Sequence, residues 1–324
     1  MAIDSVGLNE NCSRKQENNS ILDEFDVRAH LDAYWLRPES ALWDCIAAKN
    51  LGAALKDRSD IAEVGIGNGF FSFLLFGGRF SPEFDWFYSV DTKCFWNNED
   101  IFDHDSEISL DRFVTKSPDI RLSLGLDHKR TLLNQAARLG FVDELLQHDC
   151  NQPLPAGKFF QTAYSNMLYW LNDPIDAMYN IGRVLEPGGE LVTVFPNSDF
   201  YKHCLSYVRK DALWTLLNRG RASHIMWHMD IPEFERKINE SGVFELKSAT
   251  KYLAPSTLRV WDIGLRPISV PLIKMARALA PETRLEIKAE WCDNFEKFAI
   301  PLLLDEIESG ATAGGYNLVV LKKK

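Results

Sequence analysis

Ile61-Ala-Glu-Val-Gly-Ile-Gly-Asn-Gly69 decides the reading of this chain: a short apolar run carrying one acid, then three glycines at alternate positions. The run suits a buried strand. Gly65, Gly67 and Gly69 lack a Cβ, so the turn they form with Asn68 can take positive φ and let a ligand approach the backbone. Glu63 stands where a cationic or hydroxylic group could meet it. Dinucleotide enzymes, mononucleotide binders and purely structural turns all use such a strand-to-helix turn. The dinucleotide fingerprint needs its third glycine three residues after the second, to seat a pyrophosphate on the helix N-terminus. Phe70 occupies that place, and no Gly-Lys-Ser/Thr follows to cradle a triphosphate.

Working outward, Arg183-Val-Leu-Glu-Pro-Gly-Gly-Glu-Leu-Val-Thr-Val-Phe195 reads as a helix end, a turn and a buried strand. Pro187 is expected to halt the helix, and Gly188 and Gly189 to supply the reversal. Apolar residues at Ile175, Met178, Ile181 and Val184 predict a helix over 174–184, and the aromatic run at 159–164 predicts a strand before it.

The two landmarks together resemble the class I S-adenosylmethionine-dependent methyltransferases, whose motifs stand here as Glu63-Val-Gly-Ile-Gly-Asn-Gly69 and Arg183-Val-Leu-Glu-Pro-Gly-Gly189. The resemblance covers residues 59 to 196 well and the remainder loosely. It implies a Rossmann-like, doubly wound α/β sheet of seven strands, mostly parallel with an antiparallel last strand, and S-adenosyl-L-methionine as cofactor. It also implies that the glycine turn passes close to the cofactor's methionine portion, with Glu63 as the motif's acid.

The resemblance further expects an acid at the end of the second strand, for both ribose hydroxyls. Asp91 and Asp127 are the candidates. A third strand ending at Asp149 lies 22 positions after Asp127, room for one helix and one strand, so Asp127 is preferred. Residues 77–118 then become an insertion, whose acidic loop at 97–106 reads as solvated and not as a metal site. Asp149 and Cys150 are expected at the adenine. Ser165-Asn-Met-Leu-Tyr-Trp170 follows the fourth strand, at the edge where open α/β sheets bind ligands. Asn166 is therefore a cofactor candidate, and Tyr169 and Trp170 are candidates to shape the acceptor pocket. No Asn/Asp-Pro-Pro-Tyr motif is present, against a base N-methyltransferase.

The net charge of -10 argues against a broad phosphate-binding face, hence against nucleic acid as partner. The six cysteines form no Cys-x-x-Cys pair, so no zinc ribbon or redox motif is indicated and reduced thiols in a cytoplasmic protein are expected. No apolar run approaches a membrane span, and no secretory signal is read at the start.

Residues 1–20 are expected to be a disordered tail and 21–58 a helical cover. Within that cover Arg37 or Tyr34 could clasp the amino-acid end of the cofactor. The core is placed at 59–198. The remainder of the sheet, at 199–324, carries helical roof insertions at 199–229 and 255–310. His224-Ile-Met-Trp-His228 would put two histidines on one helical face, and a histidine near neutral pKa can take a proton from an attacking hydroxyl. His228 and His224 are thus catalytic candidates, and Trp227 and Arg266 candidate acceptor contacts.

Four strings, Trp35-Leu-Arg-Pro-Glu39, Gly125-Leu-Asp-His-Lys129, 165–170 and Trp261-Asp-Ile-Gly-Leu-Arg-Pro267, are similar to a branch of the family associated with envelope-glycan or secondary-metabolite pathways. The expected reaction is methyl transfer to a small molecule or glycan, at oxygen. A nicotinamide-dependent oxidoreductase and a catalytically silent scaffold of the same fold are the alternatives.

Overall fold

The structure is a computed structural model that describes residues 6–89, 108–155, 157–208 and 227–324. Its strands are β1 (Ile61–Val64), β2 (Arg79–Phe80), β3 (Val114–Lys116), β4 (Leu124–Asp127), β5 (Leu145–Gln147), β6 (Phe160–Ser165), β7 (Leu185–Pro196), β8 (Phe244–Tyr252) and β9 (Tyr316–Lys323). Seven of them form one sheet in the order β5-β4-β1-β6-β7-β9-β8. Neighbours from β5 to β7 are parallel, and β9 runs antiparallel to both β7 and β8. This is the expected doubly wound sheet with one reversed strand. β1 and β4 are buried at every position, as strands covered on both faces must be.

From β1 the chain first builds outward through β4 and β5, then returns to add β6 on β1's other side. That reversal opens a crevice at the carboxyl ends of β1 and β6, the usual ligand position in such sheets.

Helix α1 (Val6–Phe25) leads into α2 (Val27–Tyr34) and α3 (Pro38–Leu55), and α4 (Phe70–Leu75) follows the glycine turn. Tyr34 meets Phe70, at the start of α4, with ring centroids 6.4 Å apart. A Cβ on Gly52, near the end of α3, would lie 3.6 Å from Leu75 at the end of α4. The two helices therefore run parallel, start beside start and end beside end, and α3 presents its first turns at the ligand edge.

The sequence leads one to expect a tail over 1–20, where the structure has α1. Its composition is polar, and what holds it is its far end: Ile21 and Phe25 are buried, Lys49 sits 4.1 Å from the Phe25 ring and pairs with Glu24 at 2.6 Å. Residues 77–118 lie between α4 and β4, and their described part includes the antiparallel pair β2 and β3.

The second landmark folds differently from its reading. Helix α6 (Pro174–Gly182), which follows α5 (Arg130–Ala137), stops before Pro187, and Leu185 already pairs with Phe160. Pairing resumes at Glu190 with Thr162, so residues 186–189 bulge out, with 186–188 exposed, Gly189 buried and Gly188 at φ +78. The Pro-Gly-Gly run thus makes a bulge within β7 instead of ending a helix.

Beyond β7, α7 (Ile231–Ser241) precedes β8, and the long α8 (Pro281–Asp305) lies between β8 and β9. α8 packs against α1, α2 and α3. Buried Lys288 donates to three carbonyls, those of Asp32 (2.9 Å), Pro82 (2.9 Å) and Phe84 (2.6 Å), and Trp291 Nε1 donates to Trp35 O at 2.7 Å. Two segments remote in sequence, the N-terminal helices and α8, are joined into one support behind the ligand edge. Among the described residues no helix is long and apolar enough to cross a membrane.

Candidate functional site

All three glycines after β1 have positive φ: +83 at Gly65, +59 at Gly67 and +78 at Gly69. They serve different ends. A Cβ on Gly65 would fall 2.2 Å from Met167 Cγ, so this glycine makes room for a side chain of the β6 turn and not for a ligand. A Cβ on Gly69 would lie 3.1 Å from Ala136 Cβ, where α5 closes on the turn. At Gly67 nothing lies within 4 Å, and here the backbone is open to a ligand. Asn68 Oδ1 accepts from Phe70 N at 3.1 Å and braces the start of α4.

Gly65→Ala is accordingly expected to destabilise the fold strongly. Gly67→Ala should cost only about 1–2 kcal/mol for a left-handed alanine, while filling the space open to a ligand. Melting curves on the two variants check this; equal losses would sink the distinction.

Asp127 ends β4, beside β1, and reaches back across the turn. Its Oδ2 accepts from Gly67 N at 3.0 Å and its Oδ1 from Lys129 N at 2.8 Å. Asp127 is 7% exposed, so a carboxylate with lone pairs to spare faces the open glycine. Asp91 lies outside the described residues. Asp149 follows β5 and is exposed; bonds from Asn151 N (3.0 Å) and Nδ2 (2.9 Å) hold its carboxyl below the ordinary range. Cys150 is buried against the Gly65 backbone, and burial pushes its thiol up to about 12. It is an inert wall.

Glu63 is placed otherwise than its motif position led one to expect. It is 1% exposed, below the turn, and accepts from Ser72 Oγ at 2.6 Å. Burial pushes its carboxyl up to about 8, against the pull of the Ser72 and Tyr164 hydroxyls. A carboxyl raised from 4.5 binds its proton more tightly in the folded chain, so its contribution to stability is complete below pH 4.5 and is lost as pH rises through about 8. Glu63→Gln is thus expected to gain on the wild type by about 1.4 kcal/mol per pH unit across that window. Urea midpoints measured at intervals through the window check it, and parallel profiles would refute it.

Past the carboxyl end of β6, Asn166 is half-buried and Ser165 Oγ donates to Val64 O at 2.6 Å, tying the turn to β1. Tyr169 is buried and meets Tyr316 edge-on at 5.6 Å and Trp170 at 5.5 Å, with Trp170 37% exposed. Tyr34 is buried beside Phe70, and Arg37 Nε donates to Glu39 Oε1 at 2.8 Å. These residues gather round one edge.

The remaining candidates are held by packing. Trp227 stands edge-on to Phe195 at 5.2 Å. Arg266 donates to buried Asp262 at 2.9 Å and lies 4.6 Å from the Trp261 ring, so its guanidinium is engaged within the protein. His228 is exposed, 4.6 Å from the Tyr201 ring; residues 227–230 carry no helix, so the helical face expected for the two histidines does not extend to His228. His224 and the acidic loop at 97–106 lie outside the described residues.

Sequence reasoning passed over Asp44 and Glu39, on the first turns of α3. Glu39 is 4% exposed and its Oε2 has no hydrogen-bond partner. Asp44 is half-buried, and burial pushes its carboxyl up to about 7. One signal was available: an acid within Ala41-Leu-Trp-Asp-Cys-Ile-Ala-Ala48, where its neighbours are apolar. Trp43, beside it, packs at 4.7 Å on Trp261 and 4.9 Å on Tyr316.

No protein-family model and no curated protein matches the chain. Among solved structures it is similar to an S-adenosylmethionine-dependent methyltransferase from Geobacter sulfurreducens in complex with S-adenosyl-L-homocysteine, at 14% identity over 86% of this chain and 90% of that one, TM-score 0.44. It is similar to another from Thiobacillus denitrificans in the same complex, at 14% identity over 86% and 90%, TM-score 0.43. A third is the putative methyltransferase in complex with the Trm112 methyltransferase activator of Haloferax volcanii, at 13% identity over 94% and 97%, TM-score 0.42. All three are distant likenesses.

Proposed function

We propose that the chain is an S-adenosylmethionine-dependent methyltransferase acting on a small molecule or glycan, with oxygen as the acceptor atom. The observation that carries the reading is Asp127, bonded to Gly67 N beside the open face of that glycine, at the crevice where the strand order turns back. Asp127 would receive the ribose hydroxyls, Asp149 with the Cys150 backbone the adenine, and Arg37 the amino-acid carboxylate. The open Gly67 backbone fits a ligand lying against the turn. Phe70 in place of a third glycine disfavours a pyrophosphate, hence the nicotinamide alternative.

Bound there, the cofactor would supply a methyl group already activated on a sulfonium. The chain's own work is then chiefly orientation: holding an acceptor in line and excluding water. Tyr169 and Trp170 are proposed to border the acceptor, with His228, exposed beside Tyr201, taking its proton. The net charge of -10 supports a small or neutral acceptor over a polyanion. Calorimetry with S-adenosylmethionine, S-adenosylhomocysteine and NADH tests the reading. Binding of the first two is expected, and tight NADH binding without them would overturn it.

A further inference from the structure

From the first turns of α3 we infer that Glu39 and Asp44 form a receptor for a positively charged group of the bound ligand. Two carboxylates here share one guanidinium. Arg37 is engaged with one oxygen of Glu39, and the other oxygen, on a residue 96% buried, has no partner. Leaving a buried carboxylate oxygen unmatched is costly, which a ligand cation would relieve.

Asp44 stands two turns along the helix from Arg37 and accepts no hydrogen bond among the described residues. The other groups that feel its charge are Tyr34 from α2, Cys45 beside it, Tyr164 from β6, Tyr169 beyond β6 and Tyr252 at the end of β8. Each is pushed up by burial and is neutral near pH 7. Among the described residues, with both carboxylates ionised, the charges named here therefore sum to a surplus negative charge. Asp44 also keeps part of its surface exposed to solvent, so a ligand can reach it.

Burial and Glu39 push the Asp44 carboxyl up and Arg37 pulls it down, leaving it at about 7. A ligand cation favours the ionised form, so affinity should rise with pH through neutrality. The inference rests on the S-adenosylmethionine reading. That molecule offers two cations, a sulfonium and an ammonium; S-adenosylhomocysteine keeps only the ammonium, and 5′-methylthioadenosine has neither.

The test is calorimetry with each of the three at about pH 6 and about pH 7.5. Binding roughly tenfold tighter at the higher pH is expected for ligands carrying the recognised cation. A gain with S-adenosylmethionine alone identifies the sulfonium, and a gain with S-adenosylhomocysteine as well identifies the ammonium; either supports the inference. Flat affinities, or an equal gain with 5′-methylthioadenosine, overturn it. So does a gain that persists in Asp44→Asn. The wild-type profiles decide the matter even where that variant does not fold. Should none of the three bind at either pH, the methyltransferase reading fails and takes the inference with it; binding without pH dependence defeats the inference alone.

Discussion

Asp127→Ala is expected to weaken S-adenosylmethionine binding by a hundredfold or more while the protein still folds. The size follows from what the carboxylate would do. A hydrogen bond to a charged group contributes about 1.5–3 kcal/mol, and two ribose hydroxyls would each make one, so a loss of about 3 kcal/mol, roughly a hundredfold, is a lower bound. Asp127 also braces the turn through Gly67 N and Lys129 N, so part of the loss would come from a loosened glycine backbone. Asp127→Asn divides the two contributions: its one carbonyl oxygen can still accept from Gly67 N, so it should keep the turn but lose affinity. Calorimetry gives the affinities and thermal unfolding gives the fold. Asp91→Ala, on the other candidate acid, is expected to leave binding unchanged. Near-native affinity in Asp127→Ala, or its loss in Asp91→Ala, would remove Asp127 from the site.

What the sequence disclosed and what it hid divide along a physical line. The sheet was legible because central parallel strands are largely apolar runs, as at Ile61–Val64 with its single acid, and because strand-end acids punctuate them, as at Asp127. The glycine turn was legible because only glycine repeats φ +83, +59 and +78 without strain. The division of labour among those glycines was not, since Met167, which fills the space at Gly65, lies a hundred residues on. Glu63 looked like a ligand group from its place at the turn, yet Ser72 and Tyr164 claim it from elements whose approach no local pattern records. Helix α1 was hidden because its sequence is polar and its hold comes from Ile21 and Phe25 at one end. Arg266 reads as an acceptor contact in sequence and is an ion-pair partner of Asp262 in the fold. Asp44 and Glu39 were missed because a carboxylate on a helix is usually solvated. Only the packing of α2, β6 and β8 around them gives them chemistry.

The polar joint behind the ligand edge supplies the largest expected effect on stability. Asp85→Ala should destabilise the fold by about 3–5 kcal/mol, the range for a buried ion pair deprived of one partner. Asp85 accepts from Trp35 Nε1 at 3.0 Å and takes two bonds from Arg284, through Nε and through Nη2, the latter at 3.2 Å. The Arg284 side chain is 2% exposed and stands 5.1 Å from the Trp35 ring. Without Asp85 that guanidinium would remain buried with no counterion, and the Trp35 N–H would lose its acceptor. Lys288, one helical turn along, is itself a cation, held by three backbone carbonyls, and supplies no counter-charge. The cost should therefore arise from the stranded charge more than from the lost attraction, and a double substitution can separate them. Asp85→Leu combined with Arg284→Met removes both charges while keeping most of the volume, and should recover much of the loss. Urea unfolding of the two single variants and the double one measures the coupling. A double variant as unstable as Asp85→Ala alone would show that the joint acts through shape and packing and not through a charge that must be matched.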